Sequence, residues 1–331
     1  MKILLIQFYQ TGDLVLTTHI PELIKREKPD AEIHFLTFTA NAPLLEGNPQ
    51  IDKVITTKRK DIPAFIKLLL RIRRERYDAV LDFQDNPRST YCTLFSRANM
   101  RITYGDTSRG KVYTHTPERK TGHAGLIKTS LLTPLLGERE YTVEDTRGKV
   151  YPPEISKIPK ELGLEGRDMI VTISPTHKND TRRWKLRHFI DTANWLAAER
   201  NAGVIFTYGP GEEDYIREGV VETEQIRIMP PLKLREFAGL LERADLHIGN
   251  DSAPHHIATA VNTPTFIIIG STSPGWVLPS PKHTWISKGM DCQPCKKSEC
   301  RISGDVPCME ELSFNDIKPA LERFIDNGFS E

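Results

Sequence analysis

The segment Asp245–Gly270, DLHIGNDSAPHHIATAVNTPTFIIIG, sets Asp251 and Ser252 between two apolar runs, where a helical segment opens. A helix start presents unpaired backbone N–H groups and the positive end of the helix dipole. At the carboxyl edge of a parallel sheet this makes an anion site whose simplest guest is a phosphate. Either residue could equally be an ordinary helix cap. A second segment, SPTHKNDTRRWKLRHF over residues 174–189, carries Arg182, Arg183 and Lys185 around Trp184. Guanidinium groups fork two hydrogen bonds to phosphate oxygens and offset charge building on a leaving group, and Arg182 is the choice for that work. Thr176, His177 and His256 support it; a solvated basic loop is the alternative. A third segment, QFYQTGDLVLTTHIPELIKR, puts Gly12 and Asp13 at a strand-to-helix turn. Spacing alone favours a capping role for Asp13, but a carboxylate there could also accept the proton of an attacking hydroxyl. Asp82 and Asp85, in LDFQDN, are further carboxylates of this kind.

These residues need a sheet edge to hold them, and the apolar pattern supplies two. Lys2–Phe8, Glu32–Phe38, Lys53–Thr57, Asp78–Phe83 and Arg101–Tyr104 read as strands separated by amphipathic stretches. The scheme repeats with Met169–Ser174, Gly203–Tyr208, Gln225–Met229, Leu246–Gly249 and Thr265–Gly270. Short runs that are apolar on both faces are buried parallel strands. Between the halves, Tyr141–Asp168 is rich in Pro, Gly and charge and reads as a linker. A chain of 331 residues exceeds one typical domain. The expectation is an α/β protein of two Rossmann-like domains facing across a cleft. Their bounds are 1–145 and 168–312, with a linker over 146–167 and a terminal helical segment over 313–331.

The three segments together resemble the signatures of glycosyltransferase family 9, the lipopolysaccharide heptosyltransferases. That family carries D-[ST]-G-x-x-H and then a G-P-T-x-P turn. The matches are Asp251, Ser252 and His256, followed by Gly270, Thr272 and Pro274. Ala253 replaces the glycine and Ser271 the first proline; Ala253 keeps its amide donor but restricts close approach to a diphosphate. The family's S-x-G-D-[VI]-[VL] segment is matched by Gly12 and Asp13 without the serine, and its basic-x-W segment by Arg182 to Lys185. The resemblance implies a GT-B fold whose last helix packs back on the first domain. It also implies a metal-independent, inverting transfer of heptose from an ADP-heptose donor to an inner-core, lipid A-linked lipopolysaccharide acceptor. Asp13 would be the base. Gly12, Thr176, Arg182, Lys185, Asp251, Ser252, Ala253 and His256 would bind the nucleotide sugar, with His255 structural. Two other readings are a sugar-nucleotide epimerase of the same fold and a non-catalytic nucleotide-sugar-binding protein.

Charge and cysteine content bound the partners. Lys plus Arg (45) nearly cancels Asp plus Glu (44), so no global field favours nucleic acid. The amino terminus reads as a first strand, not a signal peptide, and no apolar run approaches the roughly 18 residues of a membrane span. The expected location is cytoplasmic, at most peripheral to the inner face of the membrane. Lys58, Arg59, Lys60, Arg88, Arg119 and Lys120 are candidate acceptor contacts. The basic helix over 64–77 reads either as contact with an anionic acceptor or membrane face, or as a solvated face whose Ile66, Leu69, Leu70 and Ile72 bury the other side. Cys292, Cys295, Cys300 and Cys308 crowd one loop, with spacing short enough for a structural zinc, and free thiols as the alternative. No cofactor is expected for catalysis.

Overall fold

The structure, a computed structural model, describes residues 1–153, 158–302 and 305–329. The middle of the expected linker, residues 154–157, and the last two residues of the terminal segment lie outside the described residues. The chain divides into two units, Met1–Tyr151 and Pro152–Glu331.

The first unit holds a parallel sheet of β1 (Lys2–Ile6), β2 (Glu32–Phe38), β3 (Lys53–Thr57), β4 (Ala79–Asp82) and β5 (Met100–Ile102), in the order β3-β2-β1-β4-β5. The second holds β6 (Met169–Ser174), β7 (Ala202–Phe206), β8 (Ile226–Ile228), β9 (Leu246–Asn250), β10 (Thr265–Ile268) and β11 (His283–Ile286). Its order is β11-β10-β9-β6-β7-β8, again parallel throughout. Each sheet therefore reverses its strand order beside its first strand, between β1 and β4 and between β6 and β9. The crevice outside the carboxyl ends of such a pair is where doubly wound sheets bind ligands. The central strands are buried on both faces, which is why they read as unbroken apolar runs.

Ten strands match the sequence expectation to within a few residues. β11 does not: its HTWI mixes polar and apolar positions, and Trp285 is exposed at the sheet edge. The expected linker is also narrower than its composition suggests. The Lys149 amide donates to Thr18 Oγ1 at 2.7 Å, a Cβ on Gly148 would lie 2.6 Å from the Val15 carbonyl, and Thr146 and Val150 are buried, so residues 146–150 pack into the first unit. Leu164, also inside the expected linker, is buried against Gly203.

The terminal helix, Phe314–Asp326, is built into the core of the second unit. Ile317 and Leu321, four residues apart on one face, join the core built around Trp184, Phe189 and Phe266. Lys318 to Glu199 and Arg200 to Asp326 add ion pairs along the helix Leu186–Arg200. The helix begins at a capping box in which Ser313 and Asp316 satisfy each other's backbone amides.

Candidate functional site

In the second unit, β9 ends at Asn250, Ser252 occupies the N-cap, and the helix Ala253–Ala260 follows with Pro254 in its first turn. Ser252 makes no cap hydrogen bond; its Oγ is buried with no partner, which leaves the first-turn amides for a ligand. Asp251 precedes the cap and is almost wholly buried. Burial alone would raise its carboxyl. The His255 imidazole, 3.6 Å away, and His256, 3.9 Å away, outweigh burial and hold the group at about 2. His255, read from sequence as structural, thus faces Asp251 while stacking on His256 at 4.5 Å. Asp251, His255 and His256 offer ligand atoms within 4.8 Å of one another, a set that could hold a cation.

The loop after β6 meets this edge. The Asn250 side chain bridges the two strands: its Nδ2 donates to the Pro175 carbonyl and its Oδ1 accepts the Trp184 amide, both at 2.9 Å. Trp184 is fully buried and donates its indole N–H to the Leu312 carbonyl, so it anchors the basic segment to the core. Arg182 sits in the short turn Asp180–Arg182 with its Nε buried and unpartnered, and its charge, after burial, helps lower the pKa of His177. Two expected contacts are engaged elsewhere. Lys185 lies 2.5 Å from Glu310, and Thr176 donates to Glu212 at 2.6 Å. Gly270 is required by packing, since a Cβ there would lie 2.1 Å from the Thr181 carbonyl and 2.6 Å from Met309 Sδ.

In the first unit, Asp13 lies in the first turn of the helix Thr11–Val15, whose N-cap is Gln10. Its carboxylate faces Lys128, whose Nζ is 3.2 Å from Asp13 Oδ1 and 3.2 Å from Gln7 Oε1. Burial opposes the Lys128 ammonium, yet Tyr104 and Asp13 outweigh it and keep its pKa above the usual lysine value. The Tyr104 hydroxyl is buried without a partner, and the Arg119 guanidinium lies 3.6 Å from the Tyr104 ring centre. Gln84, just after β4, ties the two strand ends together: its Oε1 accepts the Phe8 and Tyr9 amides at 2.9 and 2.6 Å. Asp82 is fully buried and pushed up to about 6 by burial, which its bonds from Tyr113 and the Gln84 and Asp85 amides only partly offset. Asp85 is half-buried and paired with Arg109 at 3.6 Å.

The candidate acceptor cations separate into two sets. Arg88 donates to the carbonyls of Arg59 and Lys58 and stacks on Phe65, so it clamps the exposed loop Lys58–Lys60. Arg119 binds both oxygens of Asp106, and Lys120 donates to the Arg139 carbonyl. On the basic helix, Ile62–Glu75, Leu69 and Ile72 are buried as expected, but Ile66 and Leu70 are exposed. Cys308 is buried, Cys295 and Cys300 are half-buried and Cys292 is exposed; among the described residues the four thiols form no compact ligand group. Cys92 is buried in the first unit's core.

Lys128, Gln84, Asn250 and Glu212 escaped the sequence reading. Asp13 and Lys128 are 115 positions apart, and no local motif links them.

Known proteins share this family and fold. Residues 65–304 match the model of glycosyltransferase family 9 (heptosyltransferase). A lipopolysaccharide heptosyltransferase 3 of Escherichia coli K12 is 30% identical over 279 residues, covering 79% of this chain and 80% of its own. Among solved structures, a family 9 glycosyltransferase from Veillonella parvula superposes with a TM-score of 0.85 at 20% identity, covering 98% of this chain and 97% of that one. The E. coli ADP-heptose lipopolysaccharide heptosyltransferase II superposes with a TM-score of 0.75 at 18% identity, covering 99% of both chains.

Proposed function

The chain belongs to glycosyltransferase family 9, with the GT-B fold of two parallel-sheet α/β units, and from that premise we propose that it moves a heptose from ADP-heptose to an inner-core, lipid A-linked lipopolysaccharide acceptor. The observation that carries the reading is that each unit brings its candidate groups to the strand reversal of its own sheet. The relatives are heptosyltransferases, which does not favour the epimerase or the silent binding protein.

In this proposal the second unit holds the donor. The amides at Ser252 and Ala253 and the Arg182 guanidinium take the diphosphate, Asp251 takes sugar hydroxyls, and His256 supports it. Thr176 and Lys185 would have to leave Glu212 and Glu310 to take part. Gly12 and Asp13 belong to the first unit, which would bind the acceptor, with Lys58, Arg59 and Lys60 available for its anionic groups, Arg119 joining them on leaving Asp106, and Arg88 and Lys120 holding the loops behind them. The transfer is a single inverting displacement. The acceptor oxygen bonds to the anomeric carbon, the bond from that carbon to the diphosphate breaks with its electron pair passing to ADP, and Asp13 takes the hydroxyl proton. Charge on the departing diphosphate is met by Arg182 and the helix start. Lys128 keeps Asp13 in an ion pair and so orients it. No metal enters this scheme; a zinc on the four cysteines would be structural. The work fits a cytoplasmic protein at the inner face of the membrane, and no helix among the described residues is long and apolar enough to cross one.

Incubation of ADP-heptose with and without a core acceptor, read by ADP release and product mass, tests this. Acceptor-dependent ADP release with a heptose added to the acceptor supports it; free sugar formed without acceptor rejects transfer.

A further inference from the structure

Two helices of the first unit, Ile62–Glu75 and Pro87–Ser96, pack side by side on the same core. Leu68, Leu69 and Ile72 of one and Cys92 of the other point into that core, so their outer faces form one surface. That surface is apolar where a solvated face should be polar. Ile62, Ile66 and Leu70 recur every fourth residue along the first helix, and Tyr91, Leu94 and Phe95 line the second; all six are between 41% and 71% exposed.

The cations on the same elements are exposed too. Lys67, Arg71, Arg73 and Arg74 lie on the first helix and Arg97 ends the second, while Lys58, Arg59 and Lys60 precede the first. Among the described residues, Lys67, Arg71, Arg73 and Arg74 pair with no carboxylate. Glu75, the one acidic residue of that helix, is already held by Lys2 at 2.7 Å and Lys53 at 2.6 Å. In a chain of net charge +1 this is a local positive excess. A second copy docked face to face would set like charges against each other. A bilayer with anionic headgroups meets both demands at once, taking the apolar stripes at its acyl boundary and the ammonium and guanidinium groups at its phosphates, with the lysine and arginine stems lying along the apolar surface.

We propose that this two-helix face docks the enzyme on an anionic lipid bilayer. It deepens the reading above, which needs the enzyme to meet a lipid-linked acceptor, but it is measured without donor or acceptor, so either can fail alone.

The full chain is sedimented with vesicles of phosphatidylcholine alone or containing phosphatidylglycerol. Retention on the anionic vesicles only, weakening as salt rises, is expected. The variant Ile66→Ser/Leu70→Ser/Phe95→Ser should lose at least about tenfold in partitioning, because three apolar side chains no longer leave water. Its thermal unfolding should match the parent, since the three positions are exposed. Leu70→Trp should shift its emission to the blue on anionic vesicles and be quenched by brominated lipid. No retention on anionic vesicles, equal retention of the triple-serine variant, or an unshifted Trp would overturn the proposal. So would a dimer in sedimentation equilibrium that the triple-serine variant abolishes, which would give the face to a second copy.

Discussion

The strand reversals of the two units are built alike and charged differently. Each is spanned by an amide side chain just past or at the end of the fourth strand: Gln84 gathers the Phe8 and Tyr9 amides, and Asn250 gathers the Pro175 carbonyl and the Trp184 amide. An uncharged brace suits both places, because it satisfies buried backbone groups without adding a field. The carboxylates beside the braces then diverge. Asp13 keeps 30% of its side chain exposed and leans on a buried lysine, whereas Asp251 keeps 5% exposed and is ringed by imidazoles. A group that must exchange a proton with substrate needs access. A group that only binds hydroxyls can be fixed and dry. In the proposed scheme the first unit would supply the reactive carboxylate and the second a rigid cradle.

The sharpest break of that assignment is Asp13→Asn. Asparagine keeps the size and leaves Lys128 a hydrogen-bond acceptor, so folding and donor affinity should survive while turnover falls about 100-fold or more, the scale of losing a positioned base. Near-normal turnover would move attention to Asp85. Asp82 is the weaker substitute, since it is fully buried and its oxygens are taken by Tyr113 and two backbone amides.

The next test sets two buried carboxylates against each other. Asp82 is raised to about 6 from 3.8, so across that window the native protein holds a proton the unfolded chain has lost, and stability falls as pH rises, by about 3 kcal/mol. Asp251 is lowered from 3.8 to about 2, so the unfolded chain takes up its proton first, and stability is lost as pH falls through that lower window, by about 2 kcal/mol. Urea unfolding of Asp82→Asn and Asp251→Asn across pH 2–7 should remove the first slope and the second respectively. Identical pH profiles in the parent and both variants would show that the two sites do not differ as described.

How much of this was legible follows from where the information lies. β1, β7 and β10 announce themselves because strands buried on both faces are largely apolar, and Ser252 sits where a turn residue opens a helix. Lys128, Gln84 and Asn250 could not be found, because the sheet order brings them to their partners from 115, 76 and 66 to 75 positions away and each is an ordinary residue in its own neighbourhood. The helix Ile62–Glu75 fails differently. With Ile62, Ile66, Leu68, Leu69, Leu70 and Ile72 it carries apolar residues on more than one side, and the pattern does not say which stripe turns inward; the core takes Leu68, Leu69 and Ile72.

Within the cradle, Arg182→Ala sharpens the comparison. Its Nε is buried and unpartnered, which suits a ligand oxygen. Calorimetry should show ADP binding weaker by on the order of 1.5–3 kcal/mol, the worth of a charged hydrogen bond, with unfolding little changed. Unchanged affinity would remove Arg182 from the donor site and leave the helix start at Ser252 and Ala253 to hold the diphosphate alone.

The smallest effect on chemistry is expected from the cysteine loop, which straps the cradle without entering it. The Lys296 amide donates to the Ser271 carbonyl at 2.7 Å, Thr181 donates to the Lys297 carbonyl at 2.8 Å, and Gln293 donates to the Gly270 carbonyl at 2.8 Å. Burial, then the charges of Cys292, Cys300 and Cys295, push the Cys308 thiol up to about 11. Gathering four thiolates is unfavourable until a cation neutralises them, and a bound zinc would supply that neutralisation and close the strap. Protein purified without oxygen should then carry close to one equivalent of metal. Chelation should speed amide exchange over residues 292–308 and leave turnover near the parent value, because the strap's own hydrogen bonds to Ser271 and Thr181 remain. Metal-free protein from an anaerobic preparation would reject the site, and a collapse of turnover on chelation would place the loop inside the machinery rather than behind it.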